Sequence, residues 1–127
     1  MVSALEAAKK AARKALEATY DGTCTVIEYR DVEDKKTGLS DQEEVAVLEG
    51  QPCKLSFEAL RAAGQTETAA SVAQGTKLFL SPEITILPGS KIIVTQNGAT
   101  GAYSASGIPA VYATHQEIML ELFERWA

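Results

Sequence analysis

KLFLSPEITILPGSKIIVTQNG, residues Lys77 to Gly98, is the stretch whose reading decides the fold. Leu78-Phe79-Leu80 is an apolar run, Pro82 punctuates it, and Ile84 and Ile86 follow at a spacing of two. Leu87-Pro88-Gly89-Ser90 supplies a turn, and Ile92-Ile93-Val94 is a second apolar run. Asn97-Gly98 closes the stretch with the strongest two-residue hairpin signal, because both central positions of that tight turn need positive φ. The stretch reads as three short strands of a compact all-β domain, and it carries no chemistry.

Working outward, Cys53, Leu55 and Phe57 alternate with Lys54 and Ser56, the pattern of a half-buried strand. Val45 to Leu48 is another strand, with Gly50-Gln51-Pro52 expected to break the chain between them. Thr23 to Tyr29 is β-branched and aromatic, with apolar residues on both faces. Arg30 to Glu44 is polar and reads as an exposed hairpin-like excursion. It lacks the alternating ligands, central glycine and terminal glutamate of a calcium loop, so its carboxylates read as solvated.

On the other side of the deciding stretch, Ala102 to Ala105 is a short strand and Ser106-Gly107-Ile108-Pro109 a turn. The tail from Ala110 fits two periods. As a strand, Gln116, Ile118, Leu120 and Leu122 face one way; as a helix, Ile118, Met119, Leu122, Phe123 and Trp126 form a stripe. The all-β context selects a strand to about Leu122. The predicted architecture is therefore mainly β: a small antiparallel barrel or sandwich over 22–125, within a single domain of residues 1–127.

Residues 3–20 read as the one helix, within an N-terminal segment 1–21. Ser3 followed by Glu6 is a capping box, and alanine, the best helix former, dominates. Leu5, Ala8, Ala12, Leu16 and Thr19 make a thin apolar stripe beside Lys10, Arg13, Lys14 and Glu17. Two placements fit so thin a stripe: beside a neighbouring subunit, or flat on the barrel.

Between Glu58 and Thr76 the alternation collapses into Ala, Gly, Gln, Thr and Ser. Glu58 to Ala63 has room for one helical turn. Residues 61–76 read as a long mobile loop, and loops of that length in small domains are commonly functional. Its polar and flexible members, Arg61, Gly64, Gln65, Thr66, Glu67, Thr68, Ser71 and Gln74, are the candidate assembly or channel residues.

Composition excludes several function classes. The 127 residues are 46% apolar and 23% charged, which is a globular composition. No run approaches the ~18 apolar residues of a membrane helix, so no membrane partner is expected. Residues 1–20 carry +2 and the remainder −7 of the net −5. An acidic body lacks the row of cations that displaces counterions from duplex DNA. Cys24 and Cys53 are read as reduced, buried strand residues. His115 is the one histidine. Cys24, Cys53 and His115 lack the paired close spacing of structural zinc sites, and no local signature joins them into a catalytic set. No phosphate-binding glycine motif is present. The expectation is no catalytic residue, no cofactor and no metal.

Three pieces, CKLSFEAL, KLFLSPEITILPGSKIIVTQNG and YSASGIPAVYATHQEIMLELF, occur in an order that resembles the small head-closure, or stopper, proteins of tailed phages and prophages. The resemblance covers most of residues 23–125. It implies a β-barrel that assembles as a homo-oligomeric ring in the virion neck, formed in the bacterial host cytoplasm. The ring would sit between the portal with its adaptor and the tail, closing the DNA-filled head and providing a docking surface for the tail. In such proteins a loop projects into the channel, and residues 61–76 match it by position and composition. Passing DNA would meet an acidic lining that repels it, with no sequence-specific contact. The N-terminal helix departs from the simplest members. Alternative readings are a tail-completion or tail-terminator protein, or an OB-like module binding a small ligand or nucleic acid.

Overall fold

A computed structural model describes residues 3–61 and 72–126. Helix α1 (Ala4–Glu17) is followed by strands β1 (Gly22–Glu33), β2 (Ser40–Arg61), β3 (Val72–Leu80), β4 (Lys91–Gln96), β5 (Ala99–Val111) and β6 (Gln116–Leu122). The strands close into an antiparallel barrel in the order β1-β2-β3-β6-β5-β4. Inward positions alternate as the pleat requires. Cys24 and Val26 come from β1, Cys53 and Leu55 from β2, Leu78 and Leu80 from β3. Ile92 and Val94 on β4, Ala105 on β5, and Ile118 and Leu120 on β6 complete the wall, with Ile86 added from a loop.

The deciding stretch contains two strands, not three. Residues 81–90 leave the sheet after Leu80 and return as β4. The connection has to carry the chain from β3 to a strand that is not its neighbour, so it crosses the barrel end. Ile86 is buried there and Ile84 packs against the core. Their spacing of two imitates a strand because a lid also needs apolar residues pointing inward. The lid is held by Gln116, itself buried, whose amide nitrogen donates to the carbonyls of Ser81 and Ile84.

The Asn97-Gly98 turn is as expected. Both residues have positive φ, 52° and 77°, and Gln96 pairs with Ala99 across it. Gly50-Gln51-Pro52 does not break β2. Registers shift between Cys24 and Val26 and again between Val26 and Ile27, so the extra residues of β2 are taken up as bulges, with Gly50 at φ 64°. Pro52 is tolerated because β3 ends opposite Cys53, leaving that side of β2 without a partner strand. Ser106 to Pro109 is likewise a bulge inside β5, with Gly107 at φ 71°, rather than a turn between strands. The tail is strand to Leu122, as the all-β context required. The polar excursion is a two-stranded ribbon, since pairing runs out to Glu33 and Ser40.

Closure has a weak place. β1 begins at Gly22, opposite Cys53, and beyond it Leu55 faces no β1 residue. The side-chain amide of Gln96 fills that position. Its Oε1 accepts from the Leu55 N–H at 2.8 Å and its Nε2 donates to the Leu55 carbonyl at 3.0 Å. A carboxamide carries the same donor and acceptor as a peptide, so it substitutes for the missing strand residue. Gly22 makes room for it: a Cβ there would lie 2.9 Å from Gln96 Oε1 and 3.2 Å from the Cys53 carbonyl.

Cys24 and Cys53 are free and buried in this wall. The Cys53 thiol is pushed up by its hydrogen bond to Cys24 and by burial.

Leaving the Leu55 groups unpaired should cost about 2 kcal/mol. Gln96→Ala is therefore expected to lower the urea unfolding midpoint with an unchanged slope, and Gly22→Ala to do the same by displacing the amide. A Gln96→Ala protein as stable as the parent would refute the assignment.

Candidate functional site

Of the candidate loop residues, Gly64, Gln65, Thr66, Glu67, Thr68 and Ser71 lie outside the described residues. Arg61 and Gln74 do not belong to a loop. Arg61 ends β2 opposite Val72, and Gln74 pairs with Ala59. The helical turn expected at Glu58 to Ala63 is strand up to Arg61, and Val72 to Thr76 is strand as well. Ladder hydrogen bonds use the backbone alone, so a stretch without apolar alternation can still pair.

The described residues offer four places where side chains converge outside the core. The first is the root of α1. Ser3 caps the helix, its hydroxyl accepting from the Glu6 N–H at 3.1 Å. No residue of α1 is buried, and Leu5 is 64% exposed. The helix is fastened to the barrel by Arg13, whose guanidinium meets Glu17 at 3.0 Å, Glu83 at 2.7 Å and the Ser81 hydroxyl at 2.6 Å. Glu17 stands one turn after Arg13, which orients the fork toward the lid loop.

The second is the base of the β1–β2 ribbon, covered by the C-terminal residues. Trp126 stacks on Tyr29 with ring centroids 4.9 Å apart, and Phe123 meets Trp126 edge-on at 5.1 Å. The Trp126 indole and Lys91 both donate to Glu44 Oε2 at 3.0 Å, and the Lys91 ammonium also lies over the Phe123 ring. Phe123 and Trp126 belonged to the rejected helical stripe. Their role was not visible in the sequence because it depends on Tyr29 and Glu44, which are distant along the chain.

The third is the β5–β6 turn. His115 lies between Tyr112, stacked at 4.8 Å, and Phe79, tilted at 5.7 Å. Its ring nitrogens contact the Thr114 hydroxyl at 3.0 Å and Glu117 at 2.9 Å, and Lys77 stands 3.5 Å from Glu117. The cysteines are on the core side of the wall, so they do not join His115. Among the described residues no group of three His, Cys, Asp or Glu is placed to hold a metal.

The fourth is an open end of the barrel. Phe57, Tyr103 and Leu122 continue the inward phase of β2, β5 and β6 beyond the filled core. They line an open depression of about 820 Å³ together with Thr76 and Leu120. Phe57 is 51% exposed and Leu122 74%.

The fold that carries these places is a closed six-stranded antiparallel barrel with an N-terminal helix, as the sequence predicted in outline. No protein-family model matches the chain. No curated protein matches it either. A solved structure similar to it is the phage-like element PBSX protein xkdH from Bacillus subtilis. That chain is 9% identical, with a TM-score of 0.48 over 79% of this chain and 91% of the other.

Three carboxyls at these places are held below the ordinary carboxylate range. Hydrogen bonds from Lys91 and Trp126 do this for Glu44, the Arg13 hydrogen bond for Glu83, and the His115 hydrogen bond followed by Lys77 for Glu117. A depressed folded-state pKa contributes stability that is present above the unfolded value, about 4.3 for glutamate, and is lost as pH falls through the folded one. Urea midpoints are therefore expected to fall between about pH 5 and pH 3, and Glu117→Gln should flatten part of that fall. A parent protein with constant midpoints across that window would contradict these contacts.

Proposed function

We propose that this protein is a structural subunit of a phage or prophage neck. It assembles as a homo-oligomeric ring between the portal with its adaptor and the tail, closes the filled head and offers the tail a docking surface. The observation that carries the reading is a helix with no fully buried residue. A fourteen-residue helix is marginal by itself in water. Here Arg13 makes the helix's only side-chain hydrogen bonds to the barrel among the described residues, and Leu5 on its apolar side is left exposed.

Other features support the same reading. The ribbon reaches beyond the barrel and exposes Val32 and Leu39, the β5 bulge exposes Ile108, and Val111 and Tyr112 are exposed at the end of β5 and in the turn after it. Such surfaces suit a subunit whose packing is completed by neighbours. The three sequence pieces that resemble stopper proteins form the barrel wall and its lid. In this reading the chain works without catalysis, and the Thr114–His115–Glu117 contacts brace the β5–β6 turn, where the Tyr112 N–H also donates to the His115 carbonyl at 2.8 Å.

Electron microscopy of particles produced without this protein tests the proposal. The expected result is heads that package DNA but lose it or remain untailed, with restoration by the supplied gene and by its His115→Ala form. Normal tailed particles in its absence would overturn the neck assignment. Failure of a well-folded His115→Ala protein to restore them would overturn the non-catalytic part.

A further inference from the structure

We infer that α1 docks on the β1–β2 ribbon of a second copy of this chain, its basic side against the ribbon's acidic side, linking subunits head to tail. The inference rests on the ring reading and names the contact that would build it.

α1 carries Lys9, Lys10, Arg13 and Lys14. Arg13 is engaged with Glu17 and Glu83, whereas Lys9, Lys10 and Lys14 form no ion pair among the described residues. The ribbon residues 28–44 hold seven carboxylates against Arg30, Lys35 and Lys36. Glu28 is paired with Arg30 and Glu44 with Lys91. Asp41 and Glu43 share one face of the ribbon with Val32, whereas Asp31 and Glu33 lie on the other, and none of the four forms an ion pair among the described residues. The basic side of α1 and the Asp41–Glu43 face of the ribbon are thus left with opposite charge on one chain.

Apolar residues accompany both. Leu5 is exposed on α1, and Val32 and the 70%-exposed Leu39 are exposed on the ribbon. The two surfaces do not meet within one subunit. The root of α1 is tied to Ser81 and Glu83, and no ion pair or side-chain hydrogen bond joins α1 to the ribbon among the described residues. Val32, the cross-strand partner of Asp41, is ten residues along β1 from Gly22, roughly 33 Å at the rise of a strand. The helix measures about 21 Å. Because the complementary patches are different parts of the surface, their contact is heterologous, the type that closes into rings when the rotation allows.

The test uses the full chain and two charge-reversed proteins, Lys10→Glu with Lys14→Glu, and Asp41→Lys with Glu43→Lys. Circular dichroism first verifies that each is folded. Sedimentation velocity at low salt should show the parent self-associating, and each variant alone at least about tenfold weaker. An equimolar mixture of the two variants should associate again, since each interface then pairs opposite charges. Carbodiimide coupling of ¹⁴N- and ¹⁵N-labelled parent chains should give mixed-isotope links between Lys10 or Lys14 and Asp41 or Glu43. A parent that assembles while the variants assemble equally well, or a mixture that stays dissociated, overturns the contact and leaves the ring reading standing. A parent that remains monomeric at every concentration overturns the ring reading and this contact with it.

Discussion

Gln96 and the backbone of Leu55 exchange two hydrogen bonds at the place where β1 has run out of residues. A closed sheet has no edges, but only if every position around the circumference is paired. β1 turns into the helix connection too early for that, and the carboxamide completes the ring of backbone pairing. Gly22 is the accompanying condition, because a side chain there would occupy the space of the amide oxygen. At the other end Gln116 holds the Ser81 and Ile84 carbonyls of the lid. Two glutamines therefore do what neither the strands nor the apolar core can do: they satisfy backbone groups where regular pairing stops.

A barrel closed in this way has a small interior, and twelve of the described residues, all apolar and buried, fill it. The remaining apolar groups, among them Leu5, Leu39, Ile108 and Leu122, stay at the surface. Burying a leucine side chain fully is worth about 1.5–3 kcal/mol, so these residues represent stabilisation that the isolated subunit does not collect. α1 and the ribbon also have few contacts to hold them, which places them among the parts that open first. The proposed ring gives both elements their missing surface.

How much of this was legible in the sequence varied with the range of the interaction. Local signals read correctly: Ser3 as a cap, Asn97-Gly98 as a two-residue hairpin, the alternation of Cys53, Leu55 and Phe57. Period alone misread Ile84 and Ile86, since a lid over a barrel end and a strand both place every second residue inward. Breakers misread β2 and β5, where Gly50 and Gly107 bend a continuous strand through bulges rather than ending it. The collapse of alternation after Glu58 hid the paired segments up to Arg61 and from Val72, which depend on backbone hydrogen bonds. The contacts of Gln96, Gln116, Arg13 and Trp126 were not legible at all. Each joins residues far apart in the chain, and a polar or aromatic side chain carries no mark of its distant partner.

Hydrogen exchange measured on the free subunit and on the assembled particle tests the central claim most directly, because it reads the packing of α1 and the ribbon separately from that of the barrel. The account predicts rapid exchange of Ala4–Glu17 in the free subunit and marked slowing on assembly. Ser40 to Glu44 should slow with it, while Leu78, Leu80, Ile92 and Val94 stay protected in both states. Equal exchange of α1 and the ribbon before and after assembly would contradict it.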